Sequence, residues 1–98
     1  MILNETQRAD LAQTLPEWTV QSQRDAIERH FTFQDFVTAF QFMTDVASIA
    51  EEMNHHPEWF NVWNTVQVVL STHDVGGLSA LDVALAQAMD RIYQKQLQ

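Results

Sequence analysis

Two adjacent histidines stand in the stretch EEMNHHPEWF, which runs from Glu51 to Phe60. The whole chain has four histidines, and His73 follows soon after this pair. An imidazole group changes its charge near neutral pH, so histidines that share a site can deliver and accept protons during a reaction. Two carboxylates, Glu51 and Glu52, come just before the pair, at the predicted end of a helix whose dipole disfavours negative charge there. The stretch is therefore the first candidate for a catalytic site.

The segment between Pro57 and His73 predicts a β-hairpin that would bring the three histidines together. A two-residue turn at Asn64-Thr65 would pair His56 with His73, whereas a turn one residue earlier would pair Asn54 with His73. In either register, the histidine pair and His73 lie at the same end of the hairpin.

Three interpretations of these histidines remain open from their spacing alone. They could be solvated loop and strand-end residues without a chemical role. They could ligate a metal ion together with a carboxylate, although adjacent residues of an extended segment point to opposite sides and the chain has no H-x-H or H-x-x-x-H spacing. They could instead act as general acid and general base on either side of a substrate. We expect no metal ion and no cofactor.

Helices and hairpins must position this site. The first helix is predicted to begin at Asn4, which forms an N-cap pair with Gln7, and to stop before Pro16. Alternating apolar residues then predict a first hairpin between Trp18 and Phe33, with a polar turn between its two strands.

The clearest predicted element is a long helix at 34–52, capped by a pair formed from Thr32 and Asp35. Its apolar residues recur at helical spacing and predict a buried face that consists of Phe33, Phe36, Val37, Phe40, Met43, Ala47 and Ala50. A last helix is predicted to begin at a capping box formed by Ser79 and Asp82. Its apolar stripe contains Leu81, Leu85, Met89 and Ile92.

These elements follow one another in the order α-β-β-α-β-β-α. Hairpins with segregated helices favour a four-stranded antiparallel sheet with three helices on one face, which is an α+β fold. A chain of 98 residues has room for a single domain, which we expect to span residues 1–98.

The composition excludes several kinds of function. Five basic and thirteen acidic residues give a formal net charge of −8, which repels nucleic acids and anionic membranes. The chain has no cysteine, so disulfides, thiolate nucleophiles and zinc–thiolate sites are excluded. No stretch looks like a signal peptide or a membrane-spanning run. We therefore expect a cytoplasmic protein that binds neither nucleic acid nor membrane.

The motif around the histidines resembles that of the pterin-4a-carbinolamine dehydratases. It consists of Glu51, the triplet His55-His56-Pro57, Trp63, His73 and Asp82. The neighbouring sequences HHPEWFNVWN and LSTHDVGGLSALD are similar to the same family. The order of helices and hairpins also matches the fold of that family.

The resemblance implies a dehydratase that acts on a tetrahydropterin with a hydroxyl on a ring-fusion carbon. Loss of water needs a proton for the departing hydroxyl and a base for the proton of the neighbouring ring N–H, and it yields the quinonoid dihydropterin. The family places His55, His56 and His73 in the active site. We expect proton transfer by His55 and His73, positioning of the substrate by His56, and orientation of a histidine by Glu51.

The resemblance also implies which residues border the pterin. They belong to two segments whose backbone groups could pair with the amide edge of the ring. In this chain the two segments contain Asn54, His55, His56, Ser71, Thr72, His73 and Asp74. We expect structural roles for Pro57, Trp63 and Asp82, with Asp82 acting mainly as a helix cap. His30 lies outside the motif and is expected at the surface.

Partners follow from the same resemblance. A tetrahydrobiopterin-type cofactor, once recycled, would link the enzyme to a pterin-dependent aromatic amino acid hydroxylase. Family members form homodimers or homotetramers, and a small sheet with two open edges agrees with self-association. The alternative function is a non-catalytic binding partner that stabilises the dimer of a regulatory protein. Three converging histidines favour the enzyme, because a binding partner has no need for them.

Overall fold

The computed structural model describes residues 1–97, which form one α+β domain. Gln98, the last residue of the predicted domain, lies outside the described residues. The elements are, in chain order, α1 (Glu5–Thr14), β1 (Thr19–Val20), β2 (Ile27–Thr32), α2 (Phe36–Met53), β3 (Glu58–Val62), β4 (Thr65–Leu70), a short 3₁₀ turn (His73–Val75) and α3 (Ala80–Gln96). The predicted order of helices and strands is confirmed. Within residues 1–97, no helix is both long and apolar enough to cross a membrane.

The four strands form one antiparallel sheet in the order β1-β2-β4-β3. Alternate residues of β2 and β4 are buried against the helices, and together with residues of α1, α2 and α3 they form one core, which includes Leu11, Ile27, Phe31, Phe42, Val46, Val66, Val68, Leu70, Leu85 and Met89. The opposite face of the sheet carries polar side chains, among them Glu28, His30 and Gln67. The helices therefore cover one face, as predicted, and His30 is exposed as expected.

The buried face of α2 differs from the prediction. Four residues predicted to be buried are exposed: Phe36, Val37, Phe40 and Ala47. Ala50 is buried as predicted, and the rest of the face of α2 that enters the core is formed by Ala39, Phe42 and Val46. Apolar residues are spread around much of the helix circumference, so their spacing fits two faces. The ring of Phe42 contacts Phe31 of β2 and Phe33, which directly follows that strand, and this aromatic packing decides which face is buried.

The predicted capping boxes of α1 and α3 are both present. The cap predicted for α2 is wrong, because its N-cap is Asp35 rather than Thr32. The Asp35 carboxylate accepts a hydrogen bond from the N–H of Thr38 at 2.8 Å. Thr32 still belongs to β2, and Phe33 donates its N–H to the neighbouring hairpin, so the chain remains extended up to that point. The helix consequently begins later than predicted.

The second hairpin takes the register with the earlier turn. Val62 pairs with Thr65, so Trp63 and Asn64 form the turn. Trp63 has the left-handed backbone, with φ at 48°, although asparagine adopts that conformation more readily than tryptophan does. The Asn64 side chain instead donates a hydrogen bond to the carbonyl of Phe33 at 2.8 Å. This contact ties the hairpin turn to the segment that leads into α2.

The strand β4 is shorter than predicted. It ends at Leu70, and the chain then forms an isolated bridge between Thr72 and Gly77. His73 therefore lies in the 3₁₀ turn, and the predicted pairing of Asn54 with His73 across the ladder is wrong. Because β3 and β4 are antiparallel, the loop before β3 and the loop after β4 still meet at one end of the sheet.

Candidate active site

A cavity of about 310 Å³ lies where the loop after α2 meets the loop after β4. Its lining contains both segments that the sequence singled out and one residue from the first turn of α3: Asn54, His55, His56, Ser71, Thr72, His73, Asp74 and Leu81. Leu81 is exposed and borders the cavity, so its predicted place in the buried stripe of α3 is wrong. The stripe residues Leu85 and Met89 are buried as predicted.

A left-handed residue at the end of α2 separates the directions of the two adjacent histidines. Asn54 has φ at 51°, and its N–H bonds back to the carbonyls of Ala50 and Glu51. Asparagine adopts this backbone conformation more readily than most residues do. The chain reverses here, so that His55 is buried while His56 stays at the surface.

His55 is held by a buried carboxylate. Its Nε2 lies 2.6 Å from Oδ1 of Asp82, and Asp82 is 0% exposed. The other carboxylate oxygen accepts hydrogen bonds from the Thr72 hydroxyl at 2.7 Å and from the Ser79 N–H at 2.9 Å. Asp82 therefore caps α3, as predicted, and in addition fixes the imidazole ring of His55. The N-terminus of a helix is a favourable place for this negative charge.

The contact with Asp82 determines which ring nitrogen of His55 carries a lone pair. A carboxylate can only accept hydrogen bonds, so the tautomer inferred from this contact has its proton on Nε2. The lone pair then lies on Nδ1, which can accept a proton from another molecule.

His56 contacts Glu51, the acid that is placed against the helix dipole. The His56 Nε2 lies 2.9 Å from Oε2 of Glu51, and the two side chains are 59% and 80% exposed. An ion pair with this exposure adds little to stability. The contact therefore bears mainly on the orientation of the His56 ring.

His73 is the most exposed of the three histidines, and its partner is a carboxylate that we did not predict. The His73 Nε2 lies 3.3 Å from Oε2 of Glu58. Arg24 donates hydrogen bonds to both oxygens of Glu58 at 2.8 Å. The Arg24 guanidinium lowers the pKa of Glu58 to about 2. Glu58 follows Pro57 in the stretch EEMNHHPEWF, but no local pattern connects the distant Arg24 with it.

The remaining motif residues, Pro57 and Trp63, are not among the residues that line the cavity. Pro57 is partly buried between His56 and Glu58. Trp63 lies in the hairpin turn at the far end of β3 and is 66% exposed. Within residues 1–97, no three histidine or acidic side chains are grouped in a way that could hold a metal ion.

The chain is similar to proteins of one family over nearly its whole length. The family model described as pterin 4 alpha carbinolamine dehydratase matches residues 1–92. A protein of Rhizorhabdus wittichii, named provisionally as a pterin-4-alpha-carbinolamine dehydratase, is 54% identical over 90 residues, which cover 92% of this chain and 93% of that protein. The pterin-4-alpha-carbinolamine dehydratase of Drosophila melanogaster is 53% identical over 90 residues, which cover 90% of this chain but 47% of that longer protein.

A solved structure shares the fold as well. The crystal structure of a protein from Brucella melitensis, described as a transcriptional coactivator/pterin dehydratase, superposes with a TM-score of 0.91 at 42% identity. The superposition covers 95% of this chain and 99% of that one. The resemblance inferred from the histidine motif is confirmed. The chain belongs to the pterin-4a-carbinolamine dehydratase family, a family of hydro-lyases.

Proposed function

We propose that this cavity removes water from a 4a-hydroxytetrahydropterin by histidine general acid–base catalysis and releases the quinonoid dihydropterin. The observation that carries the proposal is the meeting of three histidines at one cavity, each beside its own carboxylate. Membership of the family supports the substrate class and the reaction.

The reaction needs two proton transfers and no change of oxidation state. The C–O bond at the ring-fusion carbon breaks as a proton joins the departing hydroxyl, and water leaves. The neighbouring ring N–H loses its proton, and the electron pair of that bond forms the new C=N bond. Groups that titrate near neutral pH suit both transfers, and each contributes ~10²–10⁴-fold to the rate.

The surroundings of the histidines support different roles. His55 is suited to be the base, because Asp82 accepts from its Nε2 and leaves the lone pair on Nδ1. The buried carboxylate also stabilises the imidazolium that forms. His73 is suited to be the acid, because it is exposed and lies beside the carboxylate of Glu58. His56, held by Glu51, positions the substrate between them.

The two loops offer polar groups for the amide edge of the pterin ring. Thr72 has its hydroxyl, its N–H and its carbonyl engaged within the protein, so it shapes the loop rather than binding the ring. The Ser71 hydroxyl is likewise used, by the carbonyl of Asp25. The side chains of Asn54 and Asp74 and the backbone of Ser71 therefore remain to recognise the ring.

The same proposal includes the partners of the enzyme. The quinonoid dihydropterin would first be reduced by two electrons in a separate reductase reaction, and the tetrahydropterin formed would return to a pterin-dependent aromatic amino acid hydroxylase in the cytoplasm. The chain would work as a homodimer or homotetramer. Exposed apolar side chains on the edge strand β3 and on the turn that follows it support the dimer: they are Phe60, Val62 and Trp63. A second exposed apolar group on α2 supports a larger assembly and consists of Phe36, Val37 and Phe40.

A direct assay tests the activity. The hydroxytetrahydropterin is generated chemically, and its dehydration is followed by ultraviolet absorbance with and without the protein. We expect the protein to accelerate the reaction well above its spontaneous rate, and His30→Ala protein to do the same. A rate equal to the spontaneous rate would contradict the proposal and favour the non-catalytic alternative.

A further inference from the structure

The turn of the first hairpin lies against the loop that carries His73. We call residues Ser71–Leu78 the His73 loop. The carbonyl of Asp25 accepts a hydrogen bond from the Ser71 hydroxyl at 2.9 Å, and its carboxylate accepts one from the N–H of Leu78 at 3.1 Å. Arg8 of α1 holds the same carboxylate at 2.7 and 2.8 Å. Asp25 thus ties both ends of the His73 loop to the turn.

The close fit between this turn and the loop requires a glycine. A Cβ atom at Gly77 would overlap the carboxylate of Asp25, so any side chain there would displace the acid. Gly76, by contrast, has open space where its Cβ would be, and its left-handed φ of 74° is the reason for a glycine at that position. The backbone of the His73 loop is therefore held closely against the turn.

The neighbouring residue of the turn, Arg24, reaches the side chain of His73 through Glu58. Both guanidinium nitrogens of Arg24 bond to Glu58 at 2.8 Å, which fixes the plane of the carboxylate. The Glu58 Oε2 then lies 3.3 Å from Nε2 of His73. A cavity of about 390 Å³ borders this chain of contacts, with Arg24, Asp25 and His73 in its wall.

The charged and titratable groups around His73 come from four segments of the chain. They are Arg24 and Asp25 of the first hairpin turn, His55 and His56 of the loop after α2, Glu58 of β3, and Asp74 of the His73 loop itself. In the part of the chain that the structure describes, Glu58 is the one side chain that hydrogen-bonds the His73 ring. Glu58 is thus the carboxylate partner of His73, just as Asp82 is the carboxylate partner of His55 and Glu51 is that of His56.

We propose that Glu58, held in place by Arg24, is a positioning residue for His73. The Glu58 carboxylate keeps Nε2 of His73 engaged, so that Nδ1 is the ring nitrogen left to donate a proton. The same carboxylate stabilises the imidazolium that gives up this proton. This inference rests on the proposed function, because it assumes that His73 is the acid. Glu58 does not need to touch the substrate.

A double-mutant cycle distinguishes positioning from a general structural effect. Glu58→Gln is expected to lower kcat by ~10–100-fold, the usual cost of losing such an outer partner, with little change in KM. In a His73→Gln background, at enzyme concentrations where the residual rate exceeds the spontaneous one, Glu58→Gln should change kcat by less than about twofold. Equal losses in the two backgrounds, or no loss in the first, would overturn the proposal.

A substitution of Arg24 tests its part in the proposal, and a matched ion pair elsewhere in the sheet provides the control. Arg24→Met should lower kcat in the otherwise unchanged protein but not in the Glu58→Gln background, because Arg24 acts through Glu58. The pair of Glu28 and His30 has a similar separation, 3.4 Å, and lies on the sheet face away from the helices. Glu28→Gln is therefore the control and should leave kcat unchanged.

A measurement without turnover separates this inference from the proposed function. Carbon–proton NMR correlations of the histidine rings are recorded, and the His73 signal is assigned as the one missing from His73→Gln. We expect Glu58→Gln and Arg24→Met to shift the His73 ring signal, and Glu28→Gln to leave it in place. An unmoved His73 signal would overturn the positioning role whether or not the protein catalyses the dehydration, whereas an inactive protein with a responsive His73 would contradict only the proposed function.

Discussion

Each of the three cavity histidines has a carboxylate partner, but only the partner of His55 is buried. Replacing His55 or His73 by alanine is expected to lower kcat by ~10–10⁴-fold, because a proton-transfer group is lost. His30 is exposed on the sheet and serves as the control, so His30→Ala should retain full activity. Initial rates of dehydration measure the effect. Equal losses from all three replacements would show that they act through stability and would remove the site assignment.

We propose both a structural and a chemical task for Asp82, and a pair of variants can separate them. Asp82→Asn is expected to lower kcat by ~10-fold or more, because the charge beside His55 is lost. It should also lower the free energy of unfolding by about 1–3 kcal/mol, because buried hydrogen bonds lose a partner. Asp35→Ala removes the cap of α2 and should lower the stability without affecting kcat. Urea unfolding and initial rates are measured on both, and a normal kcat in Asp82→Asn would contradict the role of Asp82.

The chemistry that we propose also predicts how the protein responds to metal removal. Turnover should survive exhaustive chelation, because imidazoles alone can move the two protons. Rates are measured before and after chelation, with the metal content determined in the same samples. A loss of activity that zinc alone restores would replace the acid–base mechanism by a metal-assisted one.

At the scale of elements, the ion pair between Arg24 and Glu58 joins the first hairpin turn to the start of β3. The hydrogen bonds from Arg24 lower the pKa of Glu58 from 4.5 to about 2. A carboxyl whose pKa is lower in the folded chain contributes stability that is complete above the unfolded value and lost as the pH falls towards the folded value. This contribution is therefore expected in full above about pH 4.5 and is lost between about pH 4.5 and pH 2.

Urea unfolding at several pH values measures this effect. Glu58→Gln should be less stable than the unchanged protein near neutral pH, and the difference should shrink as the pH approaches about 2. Glu17→Gln, a change at an exposed position, serves as the control and should show no such trend. A difference that stays constant over this range would contradict the stabilising role of the pair. High salt should reduce the difference, because both side chains are partly exposed.

At the scale of the whole molecule, the sheet leaves β3 as its longer free edge. We expect at least a dimer in which β3 pairs with its copy across a two-fold axis, since this would bond the free backbone groups and cover exposed apolar side chains. The net charge of −8 opposes association, so the contact must be extensive. Sedimentation equilibrium at micromolar concentration and moderate salt should give a multiple of 11.3 kDa. A clean species of 11.3 kDa would refute the expectation.

Two matched variants locate the contact. Val62→Lys places a charge on the β3 edge and should shift the population towards the monomer. Val37→Lys places the same charge on the exposed face of α2 and should leave that dimer intact, while it reduces any larger assembly. Leu85 and Met89 of the α3 stripe are not available for assembly, because they are buried in the core.

Local patterns in the sequence predicted much of this protein. The capping boxes of α1 and α3, the alternating strands and the element order depend on residues a few positions apart, so their physics is contained in short stretches. The histidine motif identified the family correctly, because its residue types and their spacing are specific to that family. The sequence also predicted that the loops carrying His55 and His73 meet, since a short hairpin brings its two ends together whichever register it takes.

Only the tertiary structure decided what depends on contacts between distant segments. The spacing in α2 predicts a phenylalanine-rich buried face, whereas the packing of Phe42 against Phe31 and Phe33 buries a different one. The sequence predicts Asp82 mainly as a helix cap. Its contact with His55 forms only when α3 packs beside the loop after α2. The link from Arg24 through Glu58 to His73 joins three segments that no local pattern connects. The sequence by itself therefore determined which chemical groups the protein carries and the order of its helices and strands. Tertiary packing decided which of these groups are in contact, because side-chain contacts depend on where distant segments come together in the fold.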